Sequence, residues 1–314
     1  MTNKEKYFEF CTSECSLPLF FQPWWLDAVC KTGQWDVLIY EKNKTILGVY
    51  PYFIKRKYKI FETITMPKFT PFLGPYIKYP VEFTNSERAG LEKEIYTTFI
   101  NTLPEFDYFI QLFNYDFTNW LPFLWKNFKQ TTFYSYIIDD ISDVEKVKSG
   151  FHYSKIKQIN KAVRTLEVKF DLSSEEFYSF HKETLRKQNK NILYDETLFK
   201  GVVEAAYSNC AGKIIYASHE NHIFAALFFV WDKKSGYNLI SAHDPDHNNS
   251  GALDMLVMNA MAFLSDKSKK YDMEGSIVES YEFSFRHFGG RQQPYYQIKK
   301  ASSPIIKLWE YFTY

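Results

Sequence analysis

Apolar and polar positions along this chain recur at two periods, about 2 and about 3.6 residues, and the switches between them outline its elements. Residues 23–31 read as a short helix with Pro23 in the first turn. Two β-patterned runs, 35–41 and 45–57, are joined by Lys42-Asn43-Lys44, which predicts a hairpin. Residues 59–66 read as a further strand, and the proline- and glycine-bearing stretch 67–80 as a loop. From 86 to 101 the period is helical, with Leu91, Ile95, Thr98 and Phe99 on one face and Ser86 as cap. A buried strand over 108–113, a helix over 120–128 and a strand over 130–138 complete one α+β layer domain.

The second half partly repeats this order without repeating its residues. A predicted hairpin (213–218 and 223–231) turns at His219-Glu220-Asn221-His222, and a strand over 236–242 and a helix over 250–264 follow. Residues 151–164 and 173–207, placed before them, are helical by period, and Lys157, Lys161 and Arg164 share a face of the first. That face is either solvated or turned to a ligand. The strand end at Asp139-Asp140 is the expected junction, giving domains 1–140 and 141–314.

With 46% hydrophobic and 24% charged residues, 314 positions suffice for two domains with a large core. A net charge of +1 argues against binding a polyanion over a broad face, while leaving room for a local basic cleft. Cys11, Cys15, Cys30 and Cys210 are too few and too scattered for a disulfide framework, and reduced thiols are expected. No run approaches the ~20 apolar residues of a membrane span, and the N-terminal stretch has no signal-peptide core, so a cytoplasmic protein is expected.

Candidate chemistry concentrates in 271–300, YDMEGSIVESYEFSFRHFGGRQQPYYQIKK. Asp272 and Glu274 occupy alternate positions of a strand-like segment and would face one side. Ser276, Arg286 and Gly289-Gly290 follow within two turns of chain, with Tyr237, Tyr281 and Tyr295 as further hydrogen-bond donors. The bland alternative is a turn leading to a last strand, with Arg286 solvated. The DMEGS and FSFRHFGG segments, together with FQPWWLDAV (21–29) and MPKFTPFLGP (66–75), resemble the motifs of FemAB-like acyltransferases of the GNAT superfamily, in the same chain order.

That resemblance implies an α+β fold of two tandem GNAT-like domains, each a twisted, mostly antiparallel sheet flanked by helices. It implies N-acyl transfer from acyl-coenzyme A, or from an aminoacyl-tRNA, to an amine of a small molecule or cell-envelope precursor. Such transfer needs a base for the ammonium proton and a group to stabilise an oxyanion. Asp272 or Glu274 would be the base or orient the amine. The resemblance implies a place for Arg286 beside the acyl carbonyl or donor phosphate and turns the helix of Lys157 and Lys161 to substrate, and Tyr237, Ser276, Tyr281, Gly289 and Gly290 are the further candidates for binding it. It places donor phosphate at Ser250-Gly251-Ala252, where a helix begins. The usual loop pattern is reduced here to one glycine, with Asp244 and Asp246 close by, which keeps aminoacyl-tRNA open as donor. Turn formation and helix capping account for His243-Asp244-Pro245-Asp246-His247, so no metal is expected. A catalytically silent ligand-binding or scaffold protein on the same fold is the competing reading.

Overall fold

The structure is a computed structural model in which residues 1–275 and 279–312 are described, apart from the side chains of Ser280 and of 309–312. The chain runs α1 (Asn3–Ser13), α2 (Pro23–Val29), β1 (Gln34–Lys42), β2 (Thr45–Lys57), β3 (Phe61–Thr65), β4 (Tyr76–Ile77), α3 (Asn85–Thr102), β5 (Tyr108–Leu112), α4 (Leu121–Trp125), β6 (Lys129–Ile138). It continues through α5 (Val144–Ser149), α6 (Tyr153–Thr165), β7 (Glu167–Lys169), α7 (Ser174–Lys187), α8 (Glu196–Ser208), β8 (Gly212–His219), β9 (His222–Trp231), β10 (Ser235–His243). Last come α9 (Ala252–Leu264), β11 (Lys270–Asp272), α10 (Glu279–Arg286), β12 (Arg291–Ala301) and α11 (Pro304–Phe312).

These elements form two compact units, Met1–Phe133 with Pro294–Tyr314, and Tyr134–Gln293. In the first, β2 pairs antiparallel with β1 and β3 and carries the short β4. There β3 pairs parallel with β5 (Ile64 opposite Phe109), and β12 closes antiparallel on β5. In the second, β8, β9 and β10 are antiparallel, β10 pairs parallel with β11 (Gly236 opposite Tyr271), and β6 closes antiparallel on β11. A parallel pair needs a crossover, and α3 in one unit and α9 in the other supply it. The two strand orders are therefore the same, apart from the short β7, which pairs antiparallel with β8 at the edge of the second unit, and β4 on β2 in the first. The closing strand of each is exchanged along the chain: β6 follows β5 yet pairs β11, and β12 follows β11 yet pairs β5. The segment that the sequence analysis kept in 141–314 thus carries, in β12, a strand of the first unit.

Local chemistry explains where the elements begin and end. Thr84, two residues ahead of the expected cap, forms a capping box with Glu87 and starts α3. The single helix expected over 173–207 is two. Asn189 takes a left-handed φ of 56°, ending α7, and Asp195 caps α8 through the Leu198 N–H (2.8 Å). The first core is aromatic: Tyr50, Phe99, Phe109, Phe113, Phe123 and Ile298 are fully buried. Two of the sequence motifs meet beside it, where Trp25 donates to Thr70 (3.1 Å) and Phe20 stands edge-on to both Trp25 and Phe72. The second core packs α9, through Leu256, Ala260, Met261 and Leu264, with Ile215, Leu227, Tyr271 and Phe288. No described helix is long and apolar enough to cross a membrane.

Ile298 tests the exchange. Ile298→Ala is expected to cost about 2–5 kcal/mol and to lower amide-exchange protection in β5 while leaving β8–β10 protected. Loss confined to β8–β10 would contradict the assignment.

Candidate functional site

Two features of the second unit carry the chemistry. The first is a cleft of about 380 Å³ at the start of α9, lined by residues of α6, of 243–254 and of α10 with its following turn. The N-cap of α9, Gly251, has a φ of 76° and no side chain to offer, while the Ser250 hydroxyl accepts from the Ala252 N–H (3.3 Å). A Cβ there would lie 2.2 Å from the Gln158 carbonyl oxygen, so packing on α6 already demands glycine. Lys155, buried on α6, points an ammonium at this end. It donates to Asp254 (2.6 Å) and to Ser284 (2.9 Å) and lies 4.4 Å from the Phe288 ring centroid. Gln158 lines the same cleft with a buried Oε1 that receives no hydrogen bond. His287, stacked on His152 at 4.3 Å, has its pKa lowered by burial and then by the nearby positive groups of His152, Arg286 and Lys155. Among the lining residues Lys155 is the one fixed cation, and it is paired with Asp254.

The second feature is an acid turn after β11. Buried Asp272 accepts from the Ser135 hydroxyl and from the Glu274 N–H (2.8 Å), and Ser135 accepts in turn from the Gly275 N–H (3.1 Å). Claiming that N–H ends the strand at Asp272, so the alternation expected of Asp272 and Glu274 does not apply. Glu274 instead takes a left-handed φ of 51°. Its Oε1 is enclosed, and among the described residues nothing donates to it. Burial, then the charge of Asp272, pushes the Glu274 carboxyl well above its usual pKa. Burial raises Asp272 too, but its two donors oppose that, so Glu274 is the acid held protonated to higher pH. A Cβ on Gly275 would lie 1.7 Å from the Tyr134 carbonyl oxygen, which excludes any side chain there.

Strand geometry relates the two features. The parallel pairing of β10 with β11 ends at Tyr237–Asp272, while β10 continues to His243 and the other strand follows β6 through Met273 N–H to Tyr136 O (3.0 Å). The acid turn and the cleft thus lie beyond the carboxyl ends of two adjacent parallel strands, where ligands of open α/β sheets commonly bind. Phe283, Ser284 and His287, in and just after α10, return the chain to the cleft.

Of the residues singled out from sequence, Ser250, Gly251 and Ala252 line the cleft. Arg286 lies in the last turn of α10, paired with Glu282 (3.1 Å) and half exposed, and Tyr281 is exposed on the same helix. Tyr237 is buried, its hydroxyl donating to Asp232 (3.1 Å). Lys157 is exposed outside the cleft lining, and Lys161 donates to the Asn249 carbonyl (2.7 Å). Gly289, with a φ of 72°, packs against the Gly150 carbonyl, and Gly290 beside the Ile137 backbone. Ser276 lies outside the described residues. Sequence reasoning missed Lys155, Gln158 and His287. The signal for Lys155 was its place one turn before the buried Ile159, a lysine on the apolar face of its helix.

No family model matches this sequence, and no curated protein matches it. Solved structures do. FemX superposes with a TM-score of 0.66 at 11% identity, over 94% of this chain and 96% of its own. L-PGS from Bacillus licheniformis gives 0.54 at 12% identity, over 96% and 94%. A tandem GNAT protein from the clavulanic acid biosynthesis pathway gives 0.51 at 7% identity, over 90% and 94%. Likeness along nearly the whole chain at such low identity establishes architecture: this protein has the fold of FemX and of the tandem GNAT protein.

Proposed function

We propose that the protein is an N-acyltransferase, moving an acyl group from a donor held at α9 to an amine on a small molecule or cell-envelope precursor. The observation that carries this reading is the enclosed carboxyl oxygen of Glu274, without a hydrogen bond among the described residues, at the parting of the parallel strands whose other member leads into the cleft that holds Lys155. Acyl-coenzyme A is the preferred donor, because one helix N-terminus opening on glycine and one buried lysine match a diphosphate, whereas the chain's +1 charge offers no broad face for tRNA. Coenzyme A, when bound, supplies the acyl group as a thioester. An aminoacyl-tRNA is the alternative donor, with the cleft taking its terminal nucleotide.

In this reading Glu274 accepts the proton that the amine gives up on attack, a role suited to a carboxyl whose pKa burial and the charge of Asp272 have raised. Asp272 and Ser135 are positioning residues, holding the turn that presents it. Lys155 meets the donor's phosphate beside the α9 N-terminus, and Gln158 accepts a hydrogen bond from the donor's amide or base. Arg286 can exchange its solvated pairing with Glu282 for a substrate anion. The silent-scaffold reading draws on Asp254, an acid in the first turn of the very helix that should attract phosphate.

Two variants test the assignment. Glu274→Gln should lower acyl-transfer turnover by ~10²–10⁴-fold and remove the carboxylate limb of the pH–rate profile. Its effect on stability has a definite sign. A carboxyl whose pKa rises on folding contributes stability that is complete below about 4.3, the unfolded value, and lost as pH climbs through the folded value. The variant should therefore melt higher than the wild type at pH 8 and not at pH 4. Turnover unchanged in Glu274→Gln would remove the residue from the chemistry. The second variant is Asp254→Asn, which frees Lys155 from its partner and should tighten acetyl-coenzyme A binding several-fold in calorimetric titration. Weaker or unchanged binding would place the donor elsewhere.

A further inference from the structure

His222, Asp244 and His247 come from separate parts of the second unit and converge on one oxygen atom. His222 opens β9, Asp244 follows the end of β10, and His247 closes the single 3-10 turn Pro245–His247. The i, i+3 spacing of Asp244 and His247 puts both on one side of that turn. His222 Nε2 lies 2.9 Å and His247 Nδ1 3.0 Å from Asp244 Oδ2. The other carboxylate oxygen, Oδ1, is occupied by the Lys187 ammonium (2.7 Å) and the Asp246 N–H (3.2 Å). The carboxylate is thus held by one oxygen and presents the other to two imidazoles.

We propose that these three residues form a binding site for a divalent transition ion of the zinc class. Among the described residues this is the one group of three or more histidine, cysteine or acidic side chains with ligand atoms close enough to share an ion, all lying within 4.8 Å of one another. In a tetrahedral site with bonds of ~2.0–2.2 Å, ligand atoms stand about 3.3 Å apart, so each histidine nitrogen must draw back from Oδ2 by a few tenths of an ångström, and the two exposed imidazoles turn to meet the ion. Two imidazole nitrogens with one carboxylate favour zinc, cobalt or nickel over magnesium or calcium, which prefer all-oxygen shells. Lys187 does not oppose a cation: it also pairs with Asp246 (2.6 Å), so the two aspartates and the lysine leave one net negative charge. It acts as the outer partner that fixes a ligating carboxylate. The His222 and His247 side chains are 51% and 41% exposed against 3% for Asp244, which gives an entry path and a solvent-facing fourth position. The Phe224 ring packs on both imidazoles, at 5.0 and 4.5 Å between centroids, and walls one side.

A bound ion would tie the start of β9 to the 244–250 loop. That loop leads into α9, and its His247, Asn248 and Ser250 line the cleft. The ion would therefore hold one wall of the cleft in place, a role that stands whether or not the protein transfers acyl groups.

The test uses the whole chain after chelator treatment. Cobalt(II) is titrated and its visible d–d bands recorded, then zinc is titrated against a chromophoric chelator. The expected result is one equivalent of ion, bands of a four- or five-coordinate site, and displacement of cobalt by zinc. His222→Ala and His247→Ala, both at exposed side chains, should each weaken binding by more than the ~10–100-fold that loss of an outer partner costs. His219→Ala, in the same hairpin but outside the cluster, should bind as the wild type does. Octahedral cobalt spectra alone in the wild-type protein would overturn the proposal, as would binding that survives the His222→Ala/His247→Ala double variant.

Discussion

The Ser135 hydroxyl donates to buried Asp272 and accepts from the Gly275 N–H, while Asp272 takes the Glu274 N–H. The acid turn of the second unit depends on this small knot. A buried carboxylate without donors would be costly, and the two it has can be met only if the chain leaves the strand path after Asp272. Leaving that path forces Glu274 into the left-handed region and brings Gly275 so close to the Tyr134 carbonyl that only glycine fits. Strain and an unsatisfied oxygen at Glu274 follow from satisfying Asp272. Such a residue persists when its surroundings over-determine it, and sites of chemistry are where this is usual.

The same unit balances charge at the start of α9 in a comparable way. Asp254 neutralises Lys155 inside the cleft, and Lys187 pairs with both Asp244 and Asp246 just before the helix. Each aspartate that the bare sequence sets against phosphate binding is thus already partnered. An anion arriving at the helix end competes with Asp254 for one lysine rather than facing three free carboxylates. The loop between these two ion-pair systems lines the cleft, so a change in either is felt by whatever occupies it.

Much of the fold was legible in the sequence, because it is written in local patterns. Alternation marked the hairpins of both units, and residues 45–57 are β2 to the residue. Caps were legible to within a turn, Thr84 standing where Ser86 was expected. Pairing over long range was not. Nothing local distinguishes β12 as the neighbour of β5, some 190 residues earlier by the numbering, from a strand of its own half. The eight-residue α10, rich in aromatic and polar residues, has too little length for its period to declare itself. In the site, the acids were found by composition, but period 2 gave Glu274 the wrong geometry, because a side chain–backbone hydrogen bond outweighed strand pairing there. Lys155 was hidden because its partners, Asp254, Ser284 and Phe288, lie about a hundred residues or more away.

The central claim is that Glu274 is a carboxyl poised to take a proton, and the most direct check is its own titration. The Glu274 side-chain carboxyl resonance, assigned by its absence from the Glu274→Gln variant in protein with carbon-13-labelled glutamate, is followed from pH 3 to pH 9. The account predicts a midpoint well above about 4.3, the ordinary glutamate value, with a second, smaller inflection as Asp272 changes charge. A midpoint at or below that ordinary value would mean that the carboxylate is stabilised in place, and Glu274 would then be a structural acid rather than the proton acceptor of an acyl transfer.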